Sequence, residues 1–220
     1  MKEVVAMATS NEKKDATSVA VAIIGIIGTL LGIVYFILAS GNKEFNTLRL
    51  IEIVGLTLTS MGIVLVGSIA NNSKDTFSFP YLFGMLTYLL FAYDYMNQFI
   101  QRATSYMSKM EFYSYPGFAM YYIFGVVAFI VGYLCITNRI KNSTIGIILL
   151  ATIGGGFFFN LMSSSLQTMY RAFRSDHLYA YGLSYKEAVI MIIKYPLNVV
   201  IFLALIILQI KVDKDKKETD

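Results

Sequence analysis

Asp94 and Lys194 are lone charges inside stretches otherwise apolar enough to cross a membrane. An ionised side chain in hydrocarbon is costly unless it is paired or hydrated, so each is a functional-site candidate. The chemistry open to a carboxylate and an ammonium at such positions is mutual ion pairing, contact with a polar ligand, or acid–base work. An Asp94–Lys194 ion pair is one expectation. The alternatives are that Asp94 bonds a neighbouring helix and that Lys194 snorkels, its stem in lipid and its ammonium at the interface.

More polar residues fall at the same depth. Asp94, Asn97, Gln98 and Gln101 recur at helical spacing and share one face. Asn160, Ser163 and Ser164 end a later apolar run, and Asn198 follows Lys194 by one turn. Pro196 lies between those two and cannot donate to the carbonyl of Ile192, which predicts a kink beside the lysine. Glu52, near the start of another run, belongs to the same level. The candidate ligand-contacting residues are therefore Asp94, Asn97, Gln98, Asn160, Ser164, Lys194 and Asn198. The opposite half of the membrane is expected to carry no ionisable residue. The 16 tyrosines repeat the asymmetry, with only Tyr81, Tyr88 and Tyr133 placed towards the other side. They read either as an aromatic belt or as the wall of a vestibule.

The elements that position these residues follow from composition. The chain has 220 residues, 56% hydrophobic and 15% charged, with mean hydropathy +0.62. A soluble domain carries roughly 25% charged residues. Continuous apolar runs, without the alternation of a membrane barrel, predict an all-α polytopic membrane protein. Six spans are expected, at about 19–40, 49–70, 79–101, 117–138, 143–165 and 187–210. Residues 1–18 form an N-terminal segment, 19–210 the membrane domain, and 211–220 a charged tail expected to be disordered. Ser184 to Glu187 fits a capping box opening the last span. Ten basic residues fall on the side of the termini against seven on the other, which places both termini in the cytoplasm of a cell-membrane protein.

The connections on the opposite face, 102–116 and 166–186, are long enough to form amphipathic interfacial helices, the second containing His177. Small residues have a packing role: Ala16 and Ala20, and the pair Gly28 and Gly32, let helix backbones approach closely. Internal packing is favoured over docking to another subunit. Gly154, Gly155 and Gly156 suggest local flexibility or a close approach.

Several activities lack their parts. There is no HExxH, no GxSxG and no phosphate loop, and the single histidine rules out a His-rich metal site. No TVGYG filter is present. No cofactor is called for, no nucleic-acid partner is implied by the net charge of +4, and the chain reads as a non-enzyme. An acid–base enzyme built on Asp94 and Lys194 is the formal exception.

In layout the chain resembles the substrate-binding components of energy-coupling-factor importers. These have a similar length, six spans, cytoplasmic termini, an outward pocket, and small residues on the first helix that Ala16 and Ala20 would match. The lack of tryptophan departs from several vitamin-binding members. The resemblance implies a small-solute transporter or binding subunit with an outward polar pocket, embedded in the lipid bilayer and served by an energy-supplying membrane partner. The ligand is not named by any motif. The alternative is a structural, assembly or regulatory membrane subunit, such as a permease half, whose polar groups pair internally.

Overall fold

The computed structural model describes residues 16–40, 47–68, 74–103, 109–137, 139–163, 166–167, 170 and 185–219. Those residues form an all-helical bundle without strands. The helices are α1 (Ala16–Ser40), α2 (Thr47–Ser68), α3 (Lys74–Ala103), α4 (Lys109–Ile136), α5 (Ser143–Ala151, continued by a π-helical stretch Thr152–Phe158) and α6 (Tyr185–Thr219). Four helices are long and apolar enough to cross a membrane: Ala16–Ser40, Tyr115–Ile136, Ser143–Ser163 and Ile192–Lys214. Leu50–Val66 is a shorter apolar helix, and α3 is interrupted by polar residues.

Sequential helices pack in a ring, with α6 closing it onto α1 and reaching α2 and α4. Helices consecutive in the chain run antiparallel, so residues 40, 47, 103 and 109 share one end of the bundle, here called the far end. The near end holds residues 16, 68, 74, 136, 143 and 219. Glycine permits the close approach of α1 to α2. A Cβ at Gly28 would lie 2.6 Å from Ser60 Oγ, and one at Gly32 would strike Thr57. Gly25, Gly28 and Gly32 are buried on this one face. Ala16 is exposed and Ala20 half-buried, so the four small residues do not share one seam.

Five threonine hydroxyls are satisfied within their own helices. Thr29, Thr57, Thr59, Thr87 and Thr152 each donate to the carbonyl four residues earlier, at 2.7–2.9 Å. Inside a bilayer that removes a donor that would otherwise lack a partner.

An aromatic core fills the middle of the bundle. Tyr88 is fully buried and meets the rings of Phe91, Tyr122, Phe129, Phe158 and Phe202 edge-on, with centroids 5.1–6.1 Å apart. Such contacts place positive ring edges on negative faces. Glycine opens the space: a Cβ at Gly125 would strike Tyr88, and one at Gly84 would strike Phe129. The same argument explains the π-helical stretch. Gly154 lies against Phe202, whose Cβ a methyl group there would strike, and the widened turn is closed by Phe159 N–H donating to Gly154 O.

Two expectations change and a third falls largely outside the described residues. The tail from residue 211, expected to be disordered, continues α6 to Thr219, because Lys, Asp and Glu are compatible with a helix. The 102–116 connection shrinks to 104–108, since α3 runs to Ala103 and α4 begins at Lys109. The 166–186 segment with His177, and Ser184 of the capping box, lie mostly or wholly outside the described residues.

Candidate functional site

The densest polar cluster of the bundle interior forms where α2, α3, α4 and α6 converge in the far half. α6 supplies Lys194 and Asn198, one turn apart on one face. Pro196 sits between them, inside the helix. α2 supplies Glu52 one turn after its start. The Lys194 ammonium lies 2.6 Å from Glu52 Oε1, with the two side chains 15% and 8% exposed. Oε1 receives no aligned hydrogen bond from any described residue, so the contact is an ion pair with acceptor capacity left over.

Aromatic rings wall the pair. The ammonium stands 5.2 Å from the centroid of Phe91, within cation–π range. Tyr35, Tyr95 and Tyr122 lie close enough to interact with it electrostatically. Tyr95 stacks on Tyr122 at 5.5 Å and on Phe118 at 5.4 Å, while Phe91 and Tyr122 are 4.8 Å apart. This aromatic column leads from the pair towards the far end along α3 and α4.

Asn198 is fully buried, and both polar atoms of its amide are engaged. Its Nδ2 donates to Lys194 O at 2.8 Å, and its Oδ1 accepts a short hydrogen bond from Tyr88 OH. The amide thus ties the lysine-bearing turn of α6 to the aromatic core. That tie spans a helix in which Pro196 has removed one backbone donor.

The other sequence candidates go elsewhere. Asp94 does not partner Lys194; it is half-buried and accepts from Gln98 Nε2 at 2.7 Å on its own helix. The reason is the packing order: α6 lies along α2, so Glu52 is the acid it meets. Asn97 accepts from Gln101 Nε2 at 3.3 Å. Asn160 is exposed on the bundle's outer surface, beside a groove of about 420 Å³ between α4 and α5. Ser164 lies outside the described residues. The structure therefore brings together Lys194 and Asn198, sets Asp94, Asn97 and Gln98 on α3, and separates Asn160.

The sequence reading missed Tyr88 as a site residue, having placed it towards the opposite face, whereas its hydroxyl reaches Asn198. It also missed a polar knot near the other end. Gln209 is 1% exposed; its Oε1 accepts from Tyr81 OH at 3.4 Å, at the long limit. Its Nε2 has no partner among the described residues. Buried Cys135 lies close by, its thiol directed at Asn142 O, so tyrosine and cysteine do place ionisable groups in the near half. At the near end, Lys211 donates to Ser18 across α6 and α1. A glutamine on an otherwise apolar face of α6 was the available signal.

Among the described residues, no group of three or more His, Cys, Asp or Glu side chains could hold a metal ion. No protein-family model, curated protein or solved structure matches the chain.

Proposed function

We propose that this chain is a six-span cell-membrane protein with both termini in the cytoplasm, and that it binds a small solute for transport in the outward-facing half of its bundle. The far end is then the outer face. The observation that carries this reading is the Glu52–Lys194 ion pair. Removing two charges from water costs several kcal/mol per ion before their attraction offsets it, so a buried pair is weak support for a purely stabilising role. Ionisable residues facing a membrane bundle's interior commonly mark a solute path. The aromatic column beside the pair supplies surfaces suited to an organic ligand.

In this reading Lys194 and Glu52 are the polar anchors, replacing Asp94 in that role. Asn198 and Tyr88 are positioning residues that hold the proline-containing turn. Near the outer end, Asp94, Asn97 and Gln98 flank the approach. Asn160 lies further out. The activity is binding and transport without covalent chemistry. Among the described residues the near half offers Tyr81, Gln209 and Cys135 beside glycines, with Lys211 and Ser18 at its end. Energy would come from a membrane partner, for which the uninterrupted apolar outer face of α1, with exposed Ala16, offers contact area.

A second reading, a structural or regulatory subunit without a ligand, draws support from the internal pairing of Asp94 with Gln98 and of Tyr88 with Asn198. Native mass spectrometry of protein released from micelles separates the two. A reproducible co-purifying small molecule supports binding. A protein that stays empty, including after incubation with cell extract, supports the structural role.

A further inference from the structure

Charge balance at the outer site restricts what can bind there. Glu52 and Lys194 neutralise each other at 2.6 Å while remaining 8% and 15% exposed. A ligand that carries only a negative charge could take the ammonium but would leave the carboxylate unpaired beside it. A cationic ligand would strand the lysine. An uncharged ligand could separate the pair only by replacing ion contacts with weaker hydrogen bonds. Stranding one partner of a buried ion pair is strongly unfavourable, because an uncompensated charge in low dielectric retains its full desolvation cost.

We propose that the site accepts a small zwitterion, an amine and a carboxylate carried on one amino-acid-like molecule, which inserts between Glu52 and Lys194. This rests on the solute-binding reading above. The ligand's carboxylate replaces Glu52 at the lysine, and its ammonium replaces the lysine at Glu52. Each protein charge keeps an opposite partner throughout. Two further observations agree. Glu52 Oε1 has no aligned donor, which an incoming ammonium with three N–H groups supplies. The rings of Phe91, Tyr95 and Tyr122, 4.8 to 5.5 Å apart, offer faces to the same cation and to an apolar side chain. Without ligand, the two residues occupy each other's ligand positions, so the empty site carries no net charge.

The experiment is equilibrium binding to purified full-length protein in nanodiscs, using the twenty standard amino acids and glycine betaine. For every amino acid with an uncharged side chain that binds, its N-acetyl derivative and its amide, which each keep one charge, are measured alongside. The expected result is that at least one zwitterion binds and both derivatives bind on the order of 100-fold more weakly. Glu52→Gln with Lys194→Met, which removes both charges, is expected to abolish that binding. The derivative series reads charge complementarity without any substitution, so the test stands even where the double variant misfolds. A derivative binding within tenfold of its parent overturns the proposal, as does unchanged affinity in a folded double variant. If the protein captures a solute from cell extract but none of the panel, the zwitterion class fails and solute binding survives. If it captures nothing from either, both fail.

Discussion

Removing one member of the Glu52–Lys194 pair should cost far more than removing both. Lys194→Met leaves a carboxylate that is 8% exposed facing aromatic rings and lipid-facing helices. Glu52→Gln leaves an ammonium with one cation–π contact to Phe91 at 5.2 Å. Breaking a buried pair from one side costs about 3–5 kcal/mol, whereas replacing both partners with similar volumes is often neutral. The Phe91 contact offsets about 0.5–2 kcal/mol for the stranded lysine, so Glu52→Gln should be the milder single change. The double variant should recover to within about 1 kcal/mol of wild type, giving a coupling energy of at least about 3 kcal/mol. Reversible unfolding in mixed micelles, followed by tyrosine fluorescence or helical circular dichroism, measures all four corners of the cycle. Asp94→Asn is the internal control. Asp94 accepts from Gln98, one turn along the same helix, so the cost should stay below about 1 kcal/mol. Single changes at Glu52 and Lys194 that cost less than Asp94→Asn, or that add without coupling, would refute the pairing argument.

Three more outcomes follow from the packing. Tyr88→Phe should cost about 1–3 kcal/mol by leaving buried Asn198 Oδ1 without its donor, and most of that loss should vanish in an Asn198→Leu background, again read by micelle unfolding. Gly32→Val should disrupt the α1–α2 seam, where even a Cβ meets Thr57, lowering stability by about 1–3 kcal/mol; Gly155→Ala, with nothing within 4 Å, should be neutral or gain up to about 1 kcal/mol in the same assay. Gln209→Met removes a buried amide nitrogen that has no partner among the described residues, so it should be neutral or stabilising by about 1 kcal/mol, measured as a shift in thermal midpoint.

The helical architecture was legible because hydrocarbon leaves the backbone few choices, and runs such as Ala16–Ser40 declare themselves by length and polarity alone. Lys194 and Asn198 were legible for the same reason, as polar groups one turn apart in an apolar run. The partner of Lys194 was not. Depth along the bundle admitted both Glu52 and Asp94, and the choice depends on which helices are neighbours and how each is rotated. Glu52, close to a helix start, also resembles an ordinary interfacial acid. Tyr88 escaped notice because a tyrosine near the middle of a helix gives no sign of which neighbouring helix its hydroxyl meets. Asn160 shows the converse: it shares the expected level but faces outward, since depth carries no information about rotation. Helix α6 continued past its apolar run because charged residues end a membrane span without ending a helix.

The central claim is that the Glu52–Lys194 core is where a solute is held. It is tested most directly by dialysing wild-type protein and the folded Glu52→Gln, Lys194→Met double variant against one cell extract and identifying what each retains by mass spectrometry. The account predicts a small molecule retained by the wild type and absent from the double variant. Equal retention by both, or by neither, would contradict it.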